Sequence, residues 1–352
     1  MIALAGKRVQ LNEEYQVHIS PIKTDDSRWH SMYTISTTGH FFQSPEWSEL
    51  LLLLPGMEPE HFIMESFDKR YIVPLIRCKK MGGITSTMMS LPLGTTGGIF
   101  SDTAVDADVV KCALDFIKKK NTLKITIRCQ SEVEKDIFSA FGPIETINAL
   151  VLPLDKPYQQ IERECYSSNK RKLVNRGRRR GVVIKRSKDP HAINEYIILQ
   201  QKVEKQKGWV TTFSDQFIRK MVLLDEADLW LAYIDEHLAC AIISFSHNGI
   251  VTAWQGILDR ELGDCLSTQP MNLLYASMIQ YYSETGCTLF DMGYSLGITS
   301  LEVFKKGFGC IEQPMYFFTW KNNCYKVIEF VNSAFKRLKK SGSNRSAVDD
   351  EN

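Results

Sequence analysis

Apolar positions along this 352-residue chain switch repeatedly between a period of two and a period of about three and a half. These switches predict a mixed α/β protein. In the first half, Tyr15–Ser20 reads as a strand. Ser44-Pro45-Glu46-Trp47 predicts a helix start, with Ser44 as the cap and Pro45 in the first helical position, and an apolar body follows to Leu54. His61–Ser66 and Tyr71–Cys78 read as strands around a turn at 67–70, and a third strand precedes Pro92. Ala104–Lys120 places Val109, Val110, Ala113, Leu114 and Ile117 on one helical face. Thr122–Cys129 alternates as a half-buried strand. Ser131 and Glu134 form an S-x-x-E capping box for a helix that stops at Phe141-Gly142, and a strand near Asn148–Leu154 closes the half.

The second half repeats much of that order. A strand over Gly181–Arg186 leads to helices over His191–Lys205 and Ser214–Leu224. A meander follows: Asp228–Ile234 turns at Asp235-Glu236 into His237–His247, which turns at Asn248-Gly249, a strong hairpin signal, into Ile250–Gly256. Then come a helix from Pro270 to Thr285, a strand over Cys287–Met292 and a T-x-x-E box at Thr299. The helix after that box ends at Phe308-Gly309, and a strand over Pro314–Trp320 follows. A last amphipathic helix carries Val327, Ile328, Val331, Phe335 and Leu338, before a polar tail, 339–352, that reads as disordered. The shared order predicts one domain plan used twice, over 1–160 and 161–338. Each copy is an α+β unit with a mixed, mostly antiparallel sheet flanked by helices. That order is the one used by the Gcn5-related acyltransferase fold.

Three motifs carry a more specific resemblance. They are Phe41-Phe42-Gln43-Ser44-Pro45-Glu46-Trp47, the loop Leu91–Asp102 with Gly97-Gly98, and Phe290-Asp291-Met292-Gly293 followed by Phe304-Lys305-Lys306-Gly307-Phe308-Gly309. In this order they resemble the FemAB-like and BioF2-like acyltransferases, over about residues 40 to 320. The resemblance implies acyl or aminoacyl transfer to an amine, forming an amide on a peptidoglycan, polysaccharide or other envelope precursor, or on a small amine. Its co-substrate is an acyl-CoA or an aminoacyl-tRNA, with no tightly bound cofactor and no metal. Lys305 takes the place of the family's F-K lysine, which implies a catalytic role, and Asp291 accompanies it. Asp102 and Gly98 fall in the substrate-side loop, although Asp102 lies one residue further along than the family pattern. The helical hairpin that some members use for tRNA contact has no counterpart, so both donors stay open.

The residues themselves agree with amide-forming chemistry. Attack of an amine on an ester or thioester builds a tetrahedral oxyanion, and a cation at that oxygen is a large catalytic term. Lys305 suits that task. Asp291, at the end of a buried strand, either holds a turn at Gly293 or accepts the amine proton. Trp254 and Gln255 end the last meander strand, and Tyr294 follows Asp291, so these three are expected at the substrate. Arg260–Cys265 is only a degraded form of the acetyl-CoA loop.

Charge adds a second feature. The chain carries 43 Lys+Arg and 41 Asp+Glu, a net +2. Nine of those cations sit in Asn169–Arg186, a stretch with no acid. The segment shows no broad apolar face, and Gly177 and Gly181 weaken a simple helix there. Lys170, Arg171, Arg176, Arg178, Arg179 and Arg180 are therefore candidate phosphate-binding residues for tRNA, a diphosphate or anionic lipid. This also supports a reading from another class, a non-catalytic module that binds RNA or anionic lipid. Nine scattered cysteines without a C-x-x-C pair, the lack of a long apolar run and the lack of a secretory leader predict a cytoplasmic protein, with peripheral contact at the inner membrane face open. No G-x-S-x-G, G-x-G-x-x-G or P-loop occurs.

Overall fold

The computed structural model describes residues 7–11, 15–36, 39–66, 68–90, 92–94, 97–101, 103–208, 213–263 and 265–329. Asp102, most of the last amphipathic helix and the polar tail lie outside them. The strands of the first half are β1 (Lys7–Leu11), β2 (Tyr15–Pro21), β3 (Met57–Pro59), β4 (Phe62–Ser66), β5 (Lys69–Val73), β6 (Ile76–Lys80), β7 (Thr85–Met89), β8 (Phe100–Ser101), β9 (Lys124–Cys129) and β10 (Ile144–Pro153). Those of the second are β11 (Val183–Arg186), β12 (Ala227–Ile234), β13 (His237–His247), β14 (Ile250–Leu258), β15 (Leu289–Tyr294) and β16 (Ile311–Lys321). The helices are α1 (Ser27–Ile35), α2 (Pro45–Leu51), α3 (Ala107–Lys118), α4 (Glu132–Ser139), α5 (Tyr158–Glu164) and α6 (Ser168–Arg179). They continue with α7 (Pro190–Lys207), α8 (Asp215–Val222), α9 (Cys265–Thr268), α10 (Pro270–Glu284) and α11 (Thr299–Lys306).

Local chemistry sets most helix starts. Ser44 Oγ accepts from the Trp47 amide at 3.0 Å, and Ser131 Oγ accepts from the Glu134 amide at 3.2 Å. Asp106 caps α3, so that helix begins three residues later than its apolar stripe suggests. The T-x-x-E box at Thr299 does not form. Leu296 and Gly297 have φ of 50° and 77°. They turn the chain so that Ile298 occupies the cap position and Thr299 is already helical. The expected strand Tyr71–Cys78 divides at Pro74 into β5 and β6, which belong to different sheets. Proline has no N–H to continue a ladder. Helix α1 was not predicted from the pattern.

The larger sheet runs β11-β12-β13-β14-β15-β10-β16-β9-β7-β6-β3, and a second sheet runs β1-β2-β4-β5-β8. At the centre of the larger sheet the halves exchange strands. β10 of the first half pairs with β15 of the second, and β16 of the second pairs with β9 of the first. β10 and β16 then pair with each other, antiparallel, from Ile144↔Phe318 to Val151↔Ile311. Outside them, β14 pairs parallel to β15 and β7 parallel to β9. The order β14-β15-β10-β16-β9-β7 therefore reads the same when the halves are interchanged, as a duplicated domain requires.

The first motif packs across the halves. Phe41 stacks on Phe245 with centroids 4.2 Å apart, and Trp47 meets Trp254 edge-on at 5.5 Å. Phe41, Phe42 and Trp47 share one buried cluster with Phe217, Met221 and Phe245. No helix among the described residues is long and apolar enough to cross a membrane.

Candidate active site

Two β-bulges open the second half's sheet. Parallel pairing of β14 with β15 ends at Thr252↔Asp291. Immediately beyond, Trp254 is an extra residue on β14, between the pairs Ser244↔Ala253 and Ile243↔Gln255. On β15, Met292 and Gly293 together face the single residue Leu150 of β10. A bulge bends its strand and re-aims a side chain. Here the two strands part, and a cavity of about 740 Å³ fills the gap.

Asp291 and Lys305 meet at the second bulge. Gly293 has φ of 67°, and its amide donates to Asp291 Oδ1 at 2.7 Å. The Lys305 ammonium, on α11, donates to the carbonyls of Gly293 at 3.0 Å and Tyr294 at 2.7 Å. An ammonium has three donors, and Lys305 borders the cavity, so one donor remains to offer there. Lys305 is 3% exposed, and burial lowers its pKa to about 8 while Asp291 acts in the opposite sense. Burial raises the pKa of Asp291, opposed by the Gly293 amide, Arg128 and Lys305. Burial also pushes Tyr294 up to about 12.

The lining comes from both halves. Phe42 and Leu93 reach it from the first half, Trp254 and Leu258 from β14, and Pro270, Met271 and Asn272 from the first turn of α10. In this turn Pro270 has no N–H and the Asn272 amide donates to the Gln269 carbonyl at 3.1 Å, so the amides that a helix start normally offers are largely used. Lys207 and Arg260 stand at the same cavity, and Lys207 is shifted down by burial and by Arg260. Cys265, from the degraded loop, is buried at its edge.

The basic segment divides by environment. Ser168–Arg179 is one helix despite its glycine, because Lys170, Val174 and Gly177 recur at i, i+4 and i+7 and form a narrow inward face. Gly177 permits the contact with α10: a Cβ there would lie 3.0 Å from Leu273 Cβ and 3.3 Å from the Thr268 carbonyl. Lys170 points inside rather than toward a surface phosphate. It is 4% exposed. Its ammonium donates to Asn272 Oδ1 at 2.7 Å and lies 3.8 Å from the Phe304 ring centroid and 4.2 Å from that of Phe308. Burial lowers its pKa to about 8. Arg171 donates to the carbonyls of Arg163 and Tyr166 at the end of α5. Arg178 pairs with Glu162 at 3.0 Å and donates to the Tyr158 hydroxyl at 3.2 Å. Arg176, Arg179 and Arg180 are the exposed remainder.

The glycines of the F-K-K-G-F-G motif serve the same packing. A Cβ on Gly307 would come within 2.7 Å of Lys170 Cε, and one on Gly309 within 2.6 Å of the Cys165 Cβ and carbonyl oxygen.

Gly98 and Gln255 do not reach the cavity, and Asp102 lies outside the described residues. Gly98, with φ of 110°, lies against β9, where a Cβ would come within 2.5 Å of the Arg128 carbonyl oxygen. Gln255 is half-buried beside the bulge and does not line the cavity. Sequence reading missed Arg128. It is 8% exposed, Asp291 and Tyr294 act on its charge, and its Nε and Nη1 have no partner among the described residues. It also missed Phe42, Leu93 and Lys207 as cavity residues. Their only signal is tertiary.

The model of the acetyltransferase (GNAT) domain family matches residues 166–306. Residues 166–306 form a GNAT domain. The solved structure of FemX covers 88% of this chain and 99% of its own, with a TM-score of 0.66 and 13% identity. A tandem GNAT protein from the clavulanic acid biosynthesis pathway covers 87% and 98%, with a TM-score of 0.52 and 11% identity. L-PGS from Bacillus licheniformis covers 81% and 95%, with a TM-score of 0.54 and 15% identity. At these identities the likeness is one of fold, and it agrees with the tandem acyltransferase-like architecture expected from the element order. No curated protein sequence matches the chain. The matched residues include Trp254, Asp291, Lys305 and the whole of the basic helix, while Phe42, Leu93 and Met315 of the cavity lining lie outside them.

Proposed function

We propose that the protein is an N-acyl- or aminoacyltransferase that forms an amide on a cell-envelope or polysaccharide precursor or a small amine. The observation that carries this reading is the meeting of Lys305, from α11, with Asp291 at one bulge, at the gap between β14 and β15 and beside the first turn of α10. An uncharged acceptor amine attacks the donor carbonyl. The resulting oxyanion takes the remaining donor of Lys305, whose cost of ordering is already met by the fold. Asp291 keeps Gly293 in place and holds the carbonyls that orient Lys305. Arg260 and Lys207, beside the first turn of α10, suit the phosphates of an acyl-CoA or the terminal nucleotides of an aminoacyl-tRNA. The exposed Arg176, Arg179 and Arg180 extend that basic surface toward a polyanion such as tRNA or anionic headgroups.

Incubation of the purified chain with acyl-CoA or aminoacyl-tRNA donors and a panel of amine acceptors, read by mass spectrometry, tests the proposal. Acylated product from the native chain and its loss in Lys305→Ala is the expected result. Binding of RNA or anionic vesicles without transfer from any donor overturns it in favour of a polyanion-binding module.

A further inference from the structure

We infer that the group carried into this cavity is an uncharged hydrocarbon acyl chain delivered as a thioester, not an aminoacyl ester. The inference rests on the acyltransferase reading and deepens it by choosing the donor.

Charge argues first. Among the described lining residues Asp291 is the sole acid, and one of its two oxygens, Oδ1, is engaged by the Gly293 amide. Three cations, Lys207, Arg260 and Lys305, border the same space. An aminoacyl ester carries an α-ammonium, which three cations repel. A phosphate-bearing thioester with a neutral acyl group meets no such opposition, and its phosphates are attracted.

The apolar lining argues second. Phe42, Leu93, Trp254 and Met315 supply an apolar wall from both halves. At the edge near α11, Leu296 and Leu301 also line the cavity while remaining 75% and 36% exposed. Clustered exposed apolar side chains beside a cavity mark a ligand surface. A hydrocarbon chain covers them, and a small polar aminoacyl group does not.

The transfer balances without a further reactant. The C–S bond of the thioester breaks, a C–N bond to the acceptor amine forms, and the proton lost by nitrogen ends on the thiol sulfur of the released carrier.

The test is calorimetric titration of the full chain with coenzyme A, acetyl-CoA, octanoyl-CoA and dodecanoyl-CoA below their micelle concentrations. Each methylene that becomes fully buried strengthens binding roughly fourfold. Dodecanoyl-CoA is therefore expected to bind on the order of 100-fold more tightly than acetyl-CoA even if only some of its chain is covered. Leu301→Asp, and independently the more exposed Leu296→Asp, are expected to cut that ratio about tenfold. Equal affinity across the chain-length series overturns the inference and leaves the thioester donor standing. Tight binding of aminoacylated tRNA with no binding of any coenzyme A species overturns the thioester donor itself.

Discussion

Asp291 and Lys305 hold one glycine from its two backbone ends: Asp291 Oδ1 lies 2.7 Å from the Gly293 amide nitrogen, and Lys305 Nζ lies 3.0 Å from the Gly293 carbonyl oxygen. The bulge on β15 is thus fixed by the two side chains assigned to the chemistry. Their positions relative to the cavity depend on each other.

Removal of the Lys305 ammonium is expected to lower kcat by on the order of 10²-fold. The ammonium is the useful form and its pKa is about 8, so activity is present below that pH and is lost as pH rises through it. Lys305→Arg keeps a cation at all accessible pH values and is expected to remove the falling limb from the kcat profile. A limb that stays in place in the Arg variant assigns it to another group.

Lys170 makes stability depend on pH. Its pKa is about 8 in the folded chain, against 10.5 for an ordinary lysine. Between those values the unfolded chain binds more protons, so stability rises with pH over that window. Lys170→Met removes this contribution. Native minus variant unfolding free energy, from urea titrations at pH 8 and pH 10.5, is expected to increase by about 2.5 kcal/mol. A constant difference contradicts a buried, protonated Lys170.

Two glycines with nearly equal φ separate backbone strain from steric contact. Gly286, at 88°, has open space around a Cβ, whereas Gly309, at 87°, has Cys165 at 2.6 Å. Gly286→Ala is expected to cost about 1 kcal/mol in chemical denaturation. Gly309→Ala is expected to cost more than about 3 kcal/mol, because the Cys165 backbone must also move. Equal losses contradict the close approach of Gly309 to Cys165.

The arginines of α6 should fall into two classes. Replacement of Arg176, Arg179 and Arg180 by Gln is expected to reduce the slope of log K against log salt for tRNA or heparin by about 2. Arg178→Gln should leave the slope nearly unchanged and lower the melting temperature instead, since it loses Glu162 and Tyr158. A slope that responds only to Arg178 reverses the assignment.

What the sequence alone determined about this protein is local or periodic. The caps at Ser44 and Ser131, the Asn248-Gly249 hairpin and the repeated element order depend on residues within a few positions of one another, so they were legible without coordinates. The motif pointed to Lys305 and Asp291, and the strand end to Trp254, and all three line the cavity. Tertiary structure decided the rest. The exchange of β10 and β16 joins strands more than 150 residues apart in sequence, through backbone hydrogen bonds that carry no residue signature. The division of the basic helix into a buried Lys170, two paired arginines and an exposed remainder depends on which face α10 and α11 cover. Phe42 and Leu93 enter the second half's cavity only because the two halves pack together. Burial of a side chain by a distant segment is a property of the packed chain, and that is where the site acquired its shape and its shifted lysines.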